Sequence, residues 1–217
     1  MMYIDIKCAI IDVCRKMVSE GYFIGTWGNV SAREGDHIIL TPSRIEYDKM
    51  RPEDLVVIDL QGNILEGNRV PTSEKEVHRQ IYLRRKDIRG IVHSHTEKAM
   101  SVSSMSIPSV PCVVEEMSQL LGGEIPVTDR YIPAEQHLEL GLAAADAIRD
   151  KKAVILRNHG GVACGKHLAE AVLATYVMEK ACGIYLNIRD QAISIIPEQY
   201  VMSEHDRYLH RYGHEIS

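Results

Sequence analysis

Nowhere does the chain hold an apolar run close to the roughly 18 residues that a membrane-spanning helix needs, so no membrane partner is expected. Met1-Met2-Tyr3-Ile4-Asp5 has neither the basic start nor the apolar core of a signal peptide, and the expected setting is a soluble protein of the cytoplasm. Charge of one sign is scarce too: a net charge of -5 is mild and spread out, with no basic stripe, which argues against nucleic acid as a partner. No Pro/Ser-rich or low-complexity linker interrupts the 217 residues, a length sufficient for a substantial core, so residues 1–217 are read as a single catalytic domain. Five cysteines, Cys8, Cys14, Cys112, Cys164 and Cys182, are odd in number and contain no C-x-x-C pair. They read as buried thiols of a reducing compartment, and no activating partner marks Cys112 as a nucleophile.

What the sequence does contain is periodicity. Ile6, Ile10, Val13 and Met17 recur at helical spacing, with Gly21 where a C-terminal cap belongs. Short apolar runs follow at Val30 to Ala32, His37 to Leu40 and Leu55 to Leu60, and Gln61-Gly62-Asn63 turns the chain toward Ile64-Leu65, the pattern of an antiparallel meander. A helix is expected over 74–86, then a strand from Ile88 into His93, and a helix from about Glu97. A crossing through Pro108 and Pro111 precedes a helix around Glu115 to Leu121. Leu138, Leu142, Ala145 and Ile148 mark another helix before a strand at 153–156, and a long helix begins at Leu168. Helices interleaved with such strands predict an α/β fold, a three-layer α-β-α sandwich with a largely antiparallel or mixed central sheet. Trp27, the only tryptophan, reads as a packing anchor, and His205, His210 and His214 with Arg207 and Arg211 read as a solvated helix face.

Chemistry enters with histidine. Ile91-Val92-His93-Ser94-His95 ends an apolar segment, and alternate residues of a strand share a face, so His93 and His95 would stand roughly 6.5 to 7 Å apart at the backbone, close enough to share one ion. A third ligand must come from elsewhere. His159, in Arg157-Asn158-His159-Gly160-Gly161, is the best candidate, since it too follows an apolar strand and precedes what reads as a Gly-Gly turn. Three protein ligands leave an open position, the arrangement of a catalytic zinc.

Three segments look built to hold an anion: Gly25 to Asn29, Thr41-Pro42-Ser43-Arg44 and Pro71-Thr72-Ser73-Glu74. Glycine such as Gly28 lets backbone come close, Asn29, Ser43, Thr72 and Ser73 offer donors, and Arg44 offers charge. Ser73 with Glu76 three residues later also fits a capping box, and the two readings can coexist because a helix N-terminus itself attracts phosphate. Glu74 is either an ordinary charge of a first helical turn or, beside a metal, a general base able to take a proton from carbon.

Five ordered segments resemble the class II aldolase and adducin family, whose members include zinc-dependent sugar-phosphate aldolases and epimerases. They are Gly25-Thr26-Trp27-Gly28-Asn29-Val30-Ser31, Thr41-Pro42-Ser43, Pro71-Thr72-Ser73-Glu74, His93-Ser94-His95 and Asn158-His159-Gly160. The resemblance implies that His93, His95 and His159 bind Zn2+, with Mn2+ or Co2+ as alternatives, and that Glu74 is both acid/base and a neighbour of the metal. It implies that Gly28, Asn29, Ser43, Arg44, Thr72 and Ser73 surround the substrate phosphate. It also implies a fourfold-symmetric homotetramer with active sites at subunit interfaces, into which Tyr212 of Tyr212-Gly213 reaches from a neighbour. Two positions depart from the family: Arg44 stands where similar aldolases carry glycine, and Glu116 where they carry a tyrosine ahead of Gly122-Gly123.

Within the resemblance, epimerases carry an aspartate in the central segment and lack the glutamate after the Ser pair. Here Val113-Val114-Glu115-Glu116 and Glu74 favour an aldolase. The expected activity is retro-aldol cleavage of a ketose 1-phosphate such as L-fuculose 1-phosphate to glycerone phosphate and a short aldehyde. L-Ribulose-5-phosphate 4-epimerase, methylthioribulose-1-phosphate dehydratase or aldolase, and a non-catalytic module like the adducin head are the alternatives.

Overall fold

Residues 1–211 are described by the computed structural model. The chain runs α1 (Ile4–Ser19), β1 (Asn29–Glu34), β2 (His37–Leu40), β3 (Val56–Asp59), β4 (Ile64–Glu66), α2 (Lys75–Arg84), β5 (Gly90–Ser94) and α3 (Glu97–Ser103). It continues with β6 (Ser109–Val110), a π-helical turn at Met117–Leu121, β7 (Ile125–Pro126), α4 (His137–Ile148), β8 (Ala153–Leu156), β9 (Gly160–Gly165), α5 (Leu168–Ile188) and α6 (Glu198–His210).

Seven strands form one sheet in the order β4-β3-β2-β1-β5-β9-β8, and every neighbouring pair in it is antiparallel. Strand alternation divides its apolar residues between two faces. Ile38, Ile58, Ile91, Val154 and Val162 pack with Val77 and Ile81 of α2 and Leu140, Ala144 and Ile148 of α4. Their neighbours point the other way: Val30, Ile39, Val57 and Val92 meet Ile10, Cys14 and Met17 of α1, while Ile155 and Ala163 meet Ala99 of α3 and Met178 of α5. Period-2 strands with apolar residues on both faces need cover on both sides, which yields the expected three layers.

The expected Gly-Gly turn after His159 is instead the start of β9, the strand between β5 and β8. Glycine disfavours strands, yet here close packing demands it. A Cβ on Gly161 would lie inside the Met178 side chain, and one on Gly165 would strike the backbone of α5. The helix expected over 74–86 covers only Lys75–Arg84. α4 buries Leu140, Gly141, Ala144, Ala145 and Ile148 and leaves Leu138 and Leu142 exposed, because it turns its small residues toward α2. Trp27 is no packing anchor; it projects into solvent, 65% exposed. Cys8 is exposed too, whereas the other four thiols are buried. No helix among the described residues is long and apolar enough to cross a membrane.

Gly141 permits the α2–α4 contact: a Cβ there would sit 2.5 Å from the carbonyl oxygen of Glu76. Alanine is favoured over glycine by about 1 kcal/mol in a helix interior, but overpacking against backbone costs about 1–3 kcal/mol. Gly141→Ala is therefore expected to lower the denaturation midpoint in a chemical melt, and an unchanged or raised midpoint would show that the two helices can separate freely.

Candidate active site

β5 is a fully buried strand, and its residue alternation puts His93 on the same face as Ile91, toward α2. Antiparallel pairing sets Asn29 of β1 directly opposite His93 on one side and Val162 of β9 on the other. His95 follows one residue past the strand. The carboxylate of Glu179 on α5 holds the chain there, accepting from the Thr96 hydroxyl at 2.6 Å and from the Lys98 and Ala99 amides at the start of α3. His159 comes from the three-residue connection between β8 and β9. Asn158 adopts φ 52° there, a left-handed conformation that asparagine tolerates in such tight hairpins. The Arg157 guanidinium fastens the same connection by donating to the carbonyls of Met105, Ile107 and Thr128. Gly160 leaves room for the rings, since a Cβ on it would lie 3.3 Å from the His93 ring and 3.2 Å from that of His95.

Glu74 completes the set. It is the residue just before α2, and its side chain does not cap the helix. It turns instead toward the imidazoles, with Oε1 2.7 Å from His159 Nε2 and Oε2 3.2 Å from His93 Nε2. The Nε2 atoms of His93 and His95 are 2.9 Å apart, and one ligand atom from each of Glu74, His93, His95 and His159 lies within 4.8 Å of all the others. His93 Nδ1 is 3.0 Å from the Gly161 carbonyl, which can only accept, so that nitrogen carries a proton and Nε2 is the atom turned to the cluster, where it faces Glu74 and would offer its lone pair to a metal. Imidazole nitrogens and a carboxylate oxygen converging on one point suit a divalent transition metal, zinc among them.

Electrostatics agree with that donor set. Burial alone would raise the Glu74 carboxyl, but the charge of His93 and hydrogen bonds from His159 and His93 hold it well below the usual carboxylate range. His93, though burial disfavours its charge, is raised by Glu74. His95 is pushed down to about 3, by burial first and then by the neighbouring His93. The cluster thus keeps its carboxylate ionised and the His95 imidazole neutral, with one ring nitrogen bare. Cys112 is pushed up to about 11 by burial and stays a thiol.

Two of the expected anion-binding loops are zipped together. Pro42 bridges to Pro71, the Thr72 amide donates to the Thr41 carbonyl at 3.1 Å, and Ser43 donates its amide to Val70 and its hydroxyl to the Pro71 carbonyl. Arg44 is exposed and holds φ 59°, so an arginine adopts a left-handed backbone that glycine takes up most easily. Gly28 has φ 111°, and any Cβ on it would overlap the Phe23 ring. The capping box does not form: Ser73 is exposed and makes no cap bond, and Glu76 pairs with Arg79 and Gln80.

Asn29 is buried and already engaged, its amide nitrogen donating to Glu74 Oε2 and its amide oxygen facing His78 Nε2. Sequence reading passed over His78. The signal was a polar stripe at helical spacing, Glu74, His78 and Tyr82, which looks like a solvated face until the fold lays it against β1. At Glu116, the carboxylate is held low by a 2.5 Å ion pair with Lys180 rather than turned toward the histidines. Tyr212, implicated by resemblance, and His214 lie outside the described residues. His205, expected on a solvated face, instead meets the Gln119 carbonyl through Nδ1 at 2.7 Å.

A seven-stranded antiparallel sheet covered on both faces, with three histidines and a glutamate gathered above its centre, defines a class of proteins. The chain belongs to the class II aldolase and adducin family, whose N-terminal domain model matches residues 8–186. Among similar proteins is an L-fuculose phosphate aldolase of Methanocaldococcus jannaschii, 34% identical over 183 residues that make up 83% of this chain and 95% of the relative. A 5-deoxy-D-ribulose 1-phosphate aldolase of Bacillus thuringiensis serovar kurstaki is 32% identical over 182 residues, 81% of this chain and 82% of that one. The solved structure of an L-fuculose 1-phosphate aldolase superposes with a TM-score of 0.90 at 28% identity, covering 96% of this chain and 98% of its own.

Proposed function

We propose that this protein is a zinc-dependent aldolase that cleaves a ketose 1-phosphate of the L-fuculose 1-phosphate type into glycerone phosphate and a short aldehyde, lactaldehyde in that case. The observation that carries the reading is the position of an ionised, buried Glu74 against three imidazoles whose ring nitrogens converge on one point. A divalent cation held by His93, His95 and His159 would supply Lewis acidity toward the ketose oxygens. Family membership and the names of the relatives support the aldolase class and a phosphorylated sugar as substrate.

In the condensation direction, Glu74 takes a proton from the hydroxymethyl carbon of glycerone phosphate, the electron pair left behind forms the bond to the aldehyde carbon, and the aldehyde oxygen receives a proton. Cleavage runs the same transfers backward. Gly28, Asn29, Ser43, Thr72 and Ser73 hold the substrate phosphate, with Arg44 adding charge at the rim. Tyr212 of a neighbouring subunit delivers the proton to the aldehyde oxygen, in a cytoplasmic homotetramer whose sites lie between subunits.

Release of glycerone phosphate from a panel of ketose 1-phosphates, with zinc-loaded protein, tests the reading. The expected result is one glycerone phosphate per ketose consumed, abolished by a chelator. A product with its carbon skeleton intact, epimerised or dehydrated, would replace the aldolase with one of its relatives, and inactivity on the whole panel would overturn it.

A further inference from the structure

Behind Glu74, away from the histidine cluster, runs a chain of buried polar groups of which only Asn29 has been given a role. β1 turns Asn29 and Ser31 toward α2, and α2 meets them with His78 and Tyr82, one helical turn apart on the same stripe as Glu74. All four side chains are buried, with His78, Ser31 and Tyr82 wholly inaccessible. Asn29 bridges Glu74 and His78. His78 Nδ1 lies 2.6 Å from Ser31 Oγ, and Ser31 Oγ lies 2.9 Å from the Tyr82 hydroxyl.

The direction of the bonds from Ser31 to Glu74 follows from one fact. Asn29 Nδ2 donates to Glu74 Oε2, which turns the other end of its amide to α2. The Asn29 amide oxygen then faces His78 Nε2 and needs a donor, so that nitrogen bears the proton. Burial holds the imidazole down to about 3, hence neutral, and its Nδ1 is an acceptor for the Ser31 hydroxyl. The Tyr82 hydroxyl, 2.9 Å from Ser31 Oγ, donates to the Ser31 backbone carbonyl at 3.1 Å and so pins β1 at this point. Three donors, Ser31, His78 and Asn29, therefore point the same way, toward one carboxylate oxygen, and Tyr82 with the core of the sheet anchors the far end.

We infer that His78 is a positioning residue for Glu74: by holding Asn29 in a single amide orientation it keeps Oε2 saturated and leaves Oε1 as the oxygen that receives the proton. The inference rests on the proposed role of Glu74 as the base. An aliphatic residue at 78 frees the Asn29 amide to flip, which would set a carbonyl oxygen against the carboxylate and let Glu74 rotate. The larger consequence is in rate rather than substrate affinity: of the groups that would hold the phosphate His78 touches only Asn29, and Gly28, Ser43, Thr72 and Ser73 keep their places.

Exchange of the hydroxymethyl hydrogens of glycerone phosphate in deuterium oxide, without aldehyde, isolates the Glu74 step. His78→Leu is expected to slow this exchange and kcat for cleavage together by about 10–100-fold while KM and bound zinc per chain stay within about twofold. His78→Gln, whose terminal amide can donate from nearly the same place, is expected to return both rates to within about fivefold of wild type. Undiminished exchange in His78→Leu, a change in KM alone, or no rescue by His78→Gln overturns the inference. Nitrogen NMR supplies readouts that need no turnover: a proton on Nε2 of His78, and Asn29 side-chain amide hydrogens that exchange about tenfold faster in His78→Leu. Should His78→Leu not fold, Ser31→Ala takes its place, with a mixture of His78 tautomers expected. If the wild type neither exchanges nor cleaves, the proposed function fails while the NMR result still decides the role of His78: an Nδ1-protonated ring, or unaltered Asn29 exchange, refutes it.

Discussion

Glu74→Gln is expected to lower the rate of cleavage, and of glycerone phosphate exchange, by about 10²–10⁴-fold, the usual range for removal of a positioned acid/base group. Glutamine has the same length and volume, and its amide oxygen can still accept from Asn29, so the buried chain behind it survives. What disappears is the basic oxygen beside His159. KM is expected to move little, because the serine and threonine loops are untouched. The metal-free protein also loses stability, and its pH window follows from the signs. Glu74 is lowered in the folded state, so its contribution exists above the ordinary carboxylate pKa and fades as pH falls through its folded value. His93 is raised, so its contribution exists below the ordinary imidazole pKa and fades as pH rises through its folded value. Metal-free Glu74→Gln should therefore differ most from wild type in thermal melts between those limits and least in strong acid. Retention of more than about a tenth of wild-type exchange would mean that another group is the base.

The layers were legible because apolar alternation at Ile38-Ile39, Val56-Val57 and Ile91-Val92 can be satisfied only by cover on both sides of a sheet. The histidine pair was legible only in part: His93 lies on β5 as the alternation requires, but His95 falls one residue past the strand, where the Glu179 carboxylate holds the chain. β9 was not. Gly160-Gly161 disfavours a strand locally, and the need for it lies in the close approach of Met178 from α5 and Ser94 from β5, contacts about 20 and 70 residues away in sequence. His78 was hidden because helical spacing alone cannot tell a wet polar stripe from one pressed against a neighbouring strand. Trp27 failed as an anchor for the converse reason: bulk favours burial, but Gly25 and Gly28, both at positive φ, turn the intervening residues outward.

Of the three histidines, His95 offers the cleanest removal of metal. His93 is wholly buried and bonds the Gly161 carbonyl, so its loss would also orphan a backbone acceptor, and His159 lies in a strained hairpin. His95 stands beyond the strand, and its recorded hydrogen-bond contact is the Nε2 of His93. His95→Ala is expected to purify with well under one zinc per chain and to lose about three or more orders of magnitude in kcat/KM, since Lewis-acid stabilisation amounts to several kcal/mol and each 1.4 kcal/mol is tenfold. Thermal melts give a second measure: zinc at about 100 times its dissociation constant should add about 2.7 kcal/mol to the wild type and almost nothing to the variant. Acid should act in the same direction, because the imidazoles bind metal only when neutral and Glu74 raises His93 in the metal-free state. Zinc affinity of the wild type should accordingly begin to fall above the pH at which an ordinary histidine is protonated. A variant that keeps stoichiometric metal together with wild-type turnover would show that the ion sits elsewhere, and the roles assigned to Glu74 and His159 would go with it.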